Sequence, residues 1–471
     1  MTDTTRPTPP PPAPCGPLPS PRQRRWHRLE FYGFLHFTTN TFTDLEWGFG
    51  DESPAIFNPT DFDADAMVGI ARAAGMQGLI LTCKHHDGFC LWPSRYTEHS
   101  VKNSPWRGGR GDVVRELSVA CARQGLRFGV YLSPWYRNHA LYGRPEYVTY
   151  YRNQLAELLS DYGPIFEMWH DGANGGDGFY GGARDKRTID KTTYYGWEKT
   201  WQLVRDLQPE AVIFSDVGPD VRWCGNESGS AGETNWCTLN PAGWCPGFAV
   251  TSELNRGHED GTRWLPAEVD VSIRPGWFYH AHEDQKVRTV QNLVDIYYQS
   301  VGRGANLLLN LPPDRRGRIH EIDAERLLGL RRTLDTTFAT DLARGATVSA
   351  SSVRGNHPDY AAAHLVDGRE DTYWASDDGV TQASLTVELP RPVTFDQVVL
   401  QEHIELGQRV QSWVVEVERE GAWTPLCHGA TIGHQRWQRF PAVTASRLRL
   451  RILQAKACPV LSRLRLCASQ P

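Results

Sequence analysis

The feature that most constrains this chain is a long alternation of short apolar runs with amphipathic helical patterns, from about residue 26 to residue 340. The runs Phe31–Phe37, Gly78–Cys83, Phe128–Leu132, Ile165–Trp169, Ala211–Ser215 and Asn306–Leu311 read as buried strands. Between them, Phe62–Ala74, Val113–Gln124, Glu146–Tyr162 and Trp197–Leu207 read as helices. In the second of these, Val113, Val114, Leu117, Ala120 and Cys121 share one face, while Pro145 and Gly163 punctuate the third. Strands joined by helices pair in parallel, and a span of about 315 residues suits an eight-stranded (β/α)8-type barrel, an α/β fold. An open doubly wound sheet is the weaker reading, because no GxGxxG follows any of these runs.

Polar and aromatic residues follow almost every run. His36 ends the first, Lys84-His85-His86-Asp87 the second, Ser133-Pro134-Trp135 the third and His170-Asp171 the fourth. In a barrel those ends converge on one rim, where active sites are built.

After residue 340 helical periodicity gives way to alternation. Leu448, Leu450 and Ile452 interleave with Arg447, Arg449 and Arg451, the signature of a half-buried strand. The chain therefore divides into a catalytic barrel over 26–340 and a β-sandwich over 341–471. Residues 1–25 read as a flexible Pro-rich tail: nine prolines fall in the first 21 residues, and proline lacks the N–H that ladders need. That stretch has no apolar core of the kind a secretory signal carries, so the cytoplasm is the expected compartment. Ten cysteines without a CxxC pair read as reduced thiols, with Cys83 and Cys121 as core fillers. Fifty Lys+Arg against 55 Asp+Glu, interspersed, provide no footprint for nucleic acid or an anionic membrane, and no apolar run is long enough to span a bilayer. Seventeen tryptophans fit either large cores or a ligand with flat, weakly polar faces such as a sugar ring.

Two carboxylates stand out. Asp171 directly follows an apolar run and precedes glycines that turn the backbone away, although a turn or helix-cap aspartate would look the same. Glu227, in Arg222-Trp223-Cys224-Gly225-Asn226-Glu227, lies two strands further round the rim. Two facing carboxylates are what retaining glycoside hydrolysis needs, one as nucleophile and one as acid, then base. His36, His85, His86 and Asp87 admit a second reading, a metal-dependent barrel hydrolase, but adjacent residues on an extended chain point to opposite sides. Neutral imidazoles also suit sugar hydroxyls, offering one donor and one acceptor each. Trp47 and Trp277 are placed to stack on ligand carbons, and Glu46 to hold hydroxyl groups. A non-catalytic sugar-binding lectin would use many of the same residues.

Taken together, the segments Asn40-Thr41-Phe42-Thr43-Asp44-Leu45-Glu46-Trp47-Gly48, Lys84-His85-His86-Asp87-Gly88-Phe89 and Trp169-His170-Asp171-Gly172-Ala173-Asn174-Gly175 resemble the family 29 glycoside hydrolases, the retaining α-L-fucosidases. Arg222–Glu227, with Gly232-Glu233-Thr234-Asn235-Trp236 and Val271–His280, is similar to that family's subgroup acting on α-1,3/1,4-linked fucose. The resemblance implies Asp171 as nucleophile and Glu227 as acid/base, with Glu233 as the rival acid. It further implies that His36, Glu46, Trp47, His85, His86 and Tyr131 grip fucose, with Trp277 near its methyl group. The implied substrate is a fucosylated oligosaccharide, with no cofactor and no metal. His170 stands where Phe is usual in the family, and Thr38 where Gly is common. Leu365-Val366-Asp367-Gly368-Arg369 through Trp374-Ala375-Ser376 resembles the discoidin-like sandwiches, including family 32 carbohydrate-binding modules. Many of these hold calcium through a last-strand glutamate; Arg463 and Arg465 occupy that stretch here, so calcium is not expected.

Overall fold

The computed structural model describes residues 8–469. Eight parallel strands close into a barrel in simple sequential order: β1 (Phe31–Leu35), β2 (Gly78–Lys84), β3 (Arg127–Leu132), β4 (Ile165–Trp169), β5 (Val212–Ser215), β6 (Val221–Trp223), β7 (Ala267–Ser272) and β8 (Asn306–Asn310), with β8 pairing back onto β1. Outside it pack α1 (Pro21–His27), α2 (Ala64–Ala73), α3 (Val113–Gln124), α4 (Pro145–Asp161), α5 (Trp197–Leu207), α6 (Val290–Ser300) and α7 (Glu321–Phe338). Asp63 and Asp112 start α2 and α3 by accepting from Ala66 N and Arg115 N, and Pro145 begins α4 where a missing N–H costs nothing.

Six barrel strands coincide with the apolar runs; β6 and β7 are additional. β6 is three residues long and follows β5 without an intervening helix, so no periodic pattern announces it. β7 alternates Glu268 and Asp270 with Val269 and Val271. Its valines join the apolar layer beneath the helices, whereas the Glu268 carboxylate accepts from Trp169 Nε1 at 2.8 Å and that of Asp270 from Trp223 Nε1 at 2.7 Å. Buried carboxylates met by indole N–H groups replace the apolar run expected of a parallel strand.

The C-terminal part is an antiparallel sandwich built from one continuous sheet, β9 (Thr347–Ala350), β10 (Trp374–Ala375), β11 (Ala383–Glu402), β12 (Val410–Arg419), β13 (Ala422–Gly429), β14 (Arg436–Ala455) and β15 (Val460–Cys467). Register shifts bend β11 against β14, so the long strands serve both faces of the core around Trp374 and Trp413. Arg463 and Arg465 approach Glu370 and Asp341, each at 3.7 Å. All ten cysteines are free, and among the described residues no helix is long and apolar enough to cross a membrane.

The predicted flexible tail needs correction for residues 8–25; residues 1–7 lie outside the described residues. Proline loses its donor but keeps its acceptor, and the sandwich uses that acceptor. Tyr360 Oη donates to Pro9 O (3.0 Å), Arg354 Nε to Pro10 O (2.7 Å) and Arg409 Nη2 to Ala13 O (2.7 Å). Ser20 and Gln23 then form a capping box that starts α1, and Trp26 closes the N-terminal end of the barrel through bonds to Tyr32 Oη (2.8 Å) and Glu167 Oε2 (3.1 Å).

Candidate active site

The opposite, C-terminal end of the barrel holds a cavity of about 430 Å³. Eight of the nine predicted site residues line it: His36, Trp47, His85, His86, Tyr131, Asp171, Glu227 and Trp277. They come from the ends of β1 to β4 and β6 and from two long loops, residues scattered over more than half the chain. Asp171 and Glu227 follow β4 and β6, two strands apart around the barrel.

Asp171 is held at both oxygens. Tyr131 Oη donates to Oδ2 at 2.8 Å, and the Ala173 amide donates to Oδ1 at 2.6 Å. Gly172 is required between them, because a Cβ there would lie 2.4 Å from Asp216 Oδ2. His86 Nε2 stands 3.8 Å from Asp171 Oδ2.

The histidine tautomers follow from their neighbours. Asn310 Nδ2 donates to Ser272 Oγ (2.9 Å) and to the Trp277 carbonyl (2.8 Å), so Asn310 Oδ1 must accept the proton on His36 Nδ1, 2.8 Å away. Ser133 Oγ donates to Trp135 O at 2.8 Å and therefore accepts from His86 Nδ1 at 2.7 Å. In both rings Nε2 is left as an acceptor for a ligand hydroxyl. Burial depresses all three imidazoles: His36 to about 3, His86 to about 4 and His85 well below its ordinary value. They are neutral hydrogen-bonding groups at physiological pH.

Glu227 behaves differently. Burial raises its carboxyl above the ordinary range, and the negative charges of Asp171 and Glu46 add to this against the Trp277 Nε1 hydrogen bond of 3.2 Å. The cavity thus pairs a carboxylate braced by donors with a carboxyl that retains its proton to higher pH, the division of labour that acid–base chemistry requires.

Glu46, the ninth predicted residue, is not among the residues that line this cavity, and its 39%-exposed carboxylate is engaged by the loop that carries Trp277. Its oxygens accept from Trp277 N (2.7 Å), Phe278 N (3.1 Å) and His280 Nε2 (2.7 Å), and His280 Nδ1 in turn meets Asp44 at 2.7 Å. The carboxylate pins the loop that carries Trp277, and Gly276 permits the approach, since a Cβ there would be 2.4 Å from Glu46 Oε1. Replacing Glu46 by Ala lowers kcat/KM by about 10- to 100-fold, the worth of charge-assisted hydrogen bonds. Gly276→Ala, which removes no polar group, reproduces the loss by displacing the same contact; steady-state kinetics on both variants check this.

Glu233, the rival acid, is outside the cavity and is corrected to an interdomain contact. Arg436 of the sandwich donates to it at 2.7 Å, and Arg303 of the barrel pairs with it as well. Burial alone would raise this carboxyl, but the two guanidinium groups outweigh it and hold it below the ordinary range. The four-residue metal set of the second reading does not assemble either, because Asp87 turns away to Thr39 Oγ1 at 2.6 Å. His85, His86 and Asp171 do approach one another.

Three residues escaped sequence reasoning. Asp216 and Asp270 line the cavity, and Asn310 sets the tautomer of His36. Asp216 directly follows β5, so the rim rule applied to Ala211–Ser215 would have found it. It accepts from Gly247 N at 2.7 Å, and burial raises its carboxyl to about 6. Asp270 was hidden because β7 itself was.

Residues 22–336 match the family profile described as α-L-fucosidase, and residues 347–465 match that of the F5/8 type C domain. An α-L-fucosidase of Arabidopsis thaliana is 43% identical over 454 residues, covering 95% of this chain and 87% of its own. A glycoside hydrolase 29 family member from a rumen bacterium superposes with a TM-score of 0.87 at 44% identity, covering 97% of this chain and 78% of that one. A Ruminococcus gnavus GH29 fucosidase solved in complex with fucose superposes with a TM-score of 0.87 at 32% identity, covering 98% and 97%. With this sequence kinship over the whole barrel and the carboxylate pair in its rim cavity, the chain belongs to the α-L-fucosidase family, glycoside hydrolase family 29, with an F5/8 type C domain behind its barrel.

Proposed function

We propose that this protein is a retaining exo-α-L-fucosidase that releases terminal, α-1,3/1,4-linked L-fucose from oligosaccharides or glycoconjugates. The observation that carries the reading is the meeting of Asp171 and Glu227 in one cavity beside three neutral imidazoles. Asp171 attacks the anomeric carbon as the bond to the leaving oxygen breaks, and Glu227 delivers its proton to that oxygen. Glu227, now a carboxylate, takes a proton from water as the water oxygen displaces Asp171 from the covalent fucosyl-enzyme. His36 Nε2 and His86 Nε2 accept from sugar hydroxyls, while Trp277 and Trp47 cover its apolar carbons. Trp47 remains 53% exposed and leans edge-on against His86 and Trp135, so it contributes to the cavity mouth where a leaving sugar enters. The linkage preference rests on the likeness of Arg222–Glu227 and Val271–His280 to the regiospecific subgroup.

Proton NMR of the first-formed product tests the mechanism. Retention releases α-L-fucose before mutarotation; β-L-fucose appearing first would make the enzyme inverting. Lewis-type trisaccharides, 2-linked fucosides and aryl fucosides assayed together test the linkage. Cleavage of the 2-linked substrate at a rate equal to that of the Lewis-type substrates would remove the regiospecific part of the reading and leave the fucosidase part standing.

A further inference from the structure

A second cavity, of about 450 Å³, opens at the end of the barrel opposite Asp171. It lies where the N-terminal ends of β3, β4 and β5 meet α1 and the outer face of α3. In (β/α)8 barrels that end serves stability rather than chemistry, so fucoside hydrolysis does not account for an open apolar hollow there. Its floor is made by the buried side chains of Trp26, Leu29, Phe128, Ile165 and Val212. Val119, 49% exposed, forms part of the lip.

The charge around this floor is predominantly positive. Four arginines, at 22, 25, 115 and 127, face a single lining carboxylate, Glu210. Arg25 pairs with Glu210, and Arg22 with Asp220 at 3.3 Å. The other two form no ion pair among the described residues, although the Asp112 carboxylate lies close enough to Arg115 to feel its charge. Arg115 lies over the Tyr162 ring, 4.5 Å from its centroid, and Arg127 is exposed.

An apolar floor under unpaired guanidinium groups selects for a molecule with both a hydrocarbon body and an anionic head. A neutral amphiphile leaves the arginines unmatched, and a bare inorganic anion leaves the floor wet. The volume falls within the range of roughly 300–1,000 Å³ usual for small-molecule sites. We propose that this cavity binds an amphiphilic organic anion, a medium-chain carboxylate whose hydrocarbon body covers the Trp26–Phe128 floor and whose head meets Arg115 and Arg127.

Titration calorimetry of the full chain with decanoate, held below its micellar concentration, tests this. Saturable one-to-one binding is expected, with decan-1-ol and inorganic phosphate each about tenfold weaker or more, since each lacks one half of the recognition. The double variant Arg115→Gln/Arg127→Gln weakens decanoate about tenfold or more, while its fucoside hydrolysis stays at the native rate and reports an intact barrel. The proposal is overturned by an absence of saturable binding, by decan-1-ol binding as well as decanoate, or by unchanged affinity in the double variant. It is equally overturned if sedimentation shows a second copy of the chain covering this face, in a dimer that the double variant dissociates. The comparison of decanoate with decan-1-ol uses the native chain, so it holds whatever the variant does.

Discussion

Asp171→Ala and Asp171→Gly lower kcat on aryl fucosides by about four orders of magnitude, as removal of a reacting nucleophile does, while leaving the fold intact. The fold survives because the side chain stands at the rim, 22% exposed, and its two hydrogen bonds come from a tyrosine and a loop amide that then face the cavity. Removing the carboxylate also leaves room for a small anion at the reacting face. Azide added to Asp171→Gly should restore turnover and accumulate β-L-fucosyl azide, because attack opposite the leaving group inverts the α-configured substrate. A loss of only a few-fold in kcat, or an α-configured azide product, would falsify the assignment of Asp171 as nucleophile. Circular dichroism and thermal melting of the variant separate a catalytic loss from a folding loss.

Glu227→Gln has the second-largest effect, and its size depends on the substrate. Natural glycosides, whose leaving sugar needs a proton, slow by roughly 10²- to 10⁴-fold, the usual worth of general acid catalysis. Activated aryl fucosides, whose phenolate leaves unaided, lose far less in the first step. The pH profile provides an independent readout. Burial, together with the charges of Asp171 and Glu46, holds the Glu227 carboxyl above its ordinary value. A raised acid stays protonated as pH climbs, so activity is present below its pKa and falls as pH rises through it. Glu227 therefore sets the alkaline limb of kcat/KM, and Glu227→Gln abolishes that limb. Glu233→Gln should leave both the limb and the leaving-group dependence unchanged, because Glu233 pairs with Arg303 and Arg436 outside the cavity. If Glu233→Gln instead shows the leaving-group dependence, the acid must be reassigned.

The legibility of this site follows from where its residues lie relative to the strands. His36, His85, His86 and Asp171 come at the ends of apolar runs, and a barrel gathers such positions on one rim. Asp270 lies within β7, and Asn310, although the last residue of β8, falls inside the apolar run Asn306–Leu311, where the usual expectation is packing. Their polar roles arise from partners distant in sequence, Trp223 for one and His36 for the other. Glu46 illustrates the limit from the other side. Its place beside Trp47 reads as a ligand-facing group, but that two backbone amides some 230 residues away also hold its carboxylate is visible only in the fold. The Pro-rich segment fails for the same reason: the missing N–H is visible in the sequence, whereas the donors of Tyr360, Arg354 and Arg409 that seek its carbonyls are not.

Local sequence by itself determined the parallel barrel, the alternating sandwich that follows it and the two carboxylates proposed to carry the chemistry. Periodicity and the position of a residue at a strand end are properties of short stretches of chain. Tertiary structure alone decided that burial pushes the Glu227 carboxyl upward, which nitrogen of His36 and of His86 faces the cavity, and that loop amides hold Glu46 while two arginines hold Glu233. Protonation and tautomer depend on burial and on donors brought in by other strands and loops, and no local stretch encodes where those donors will be.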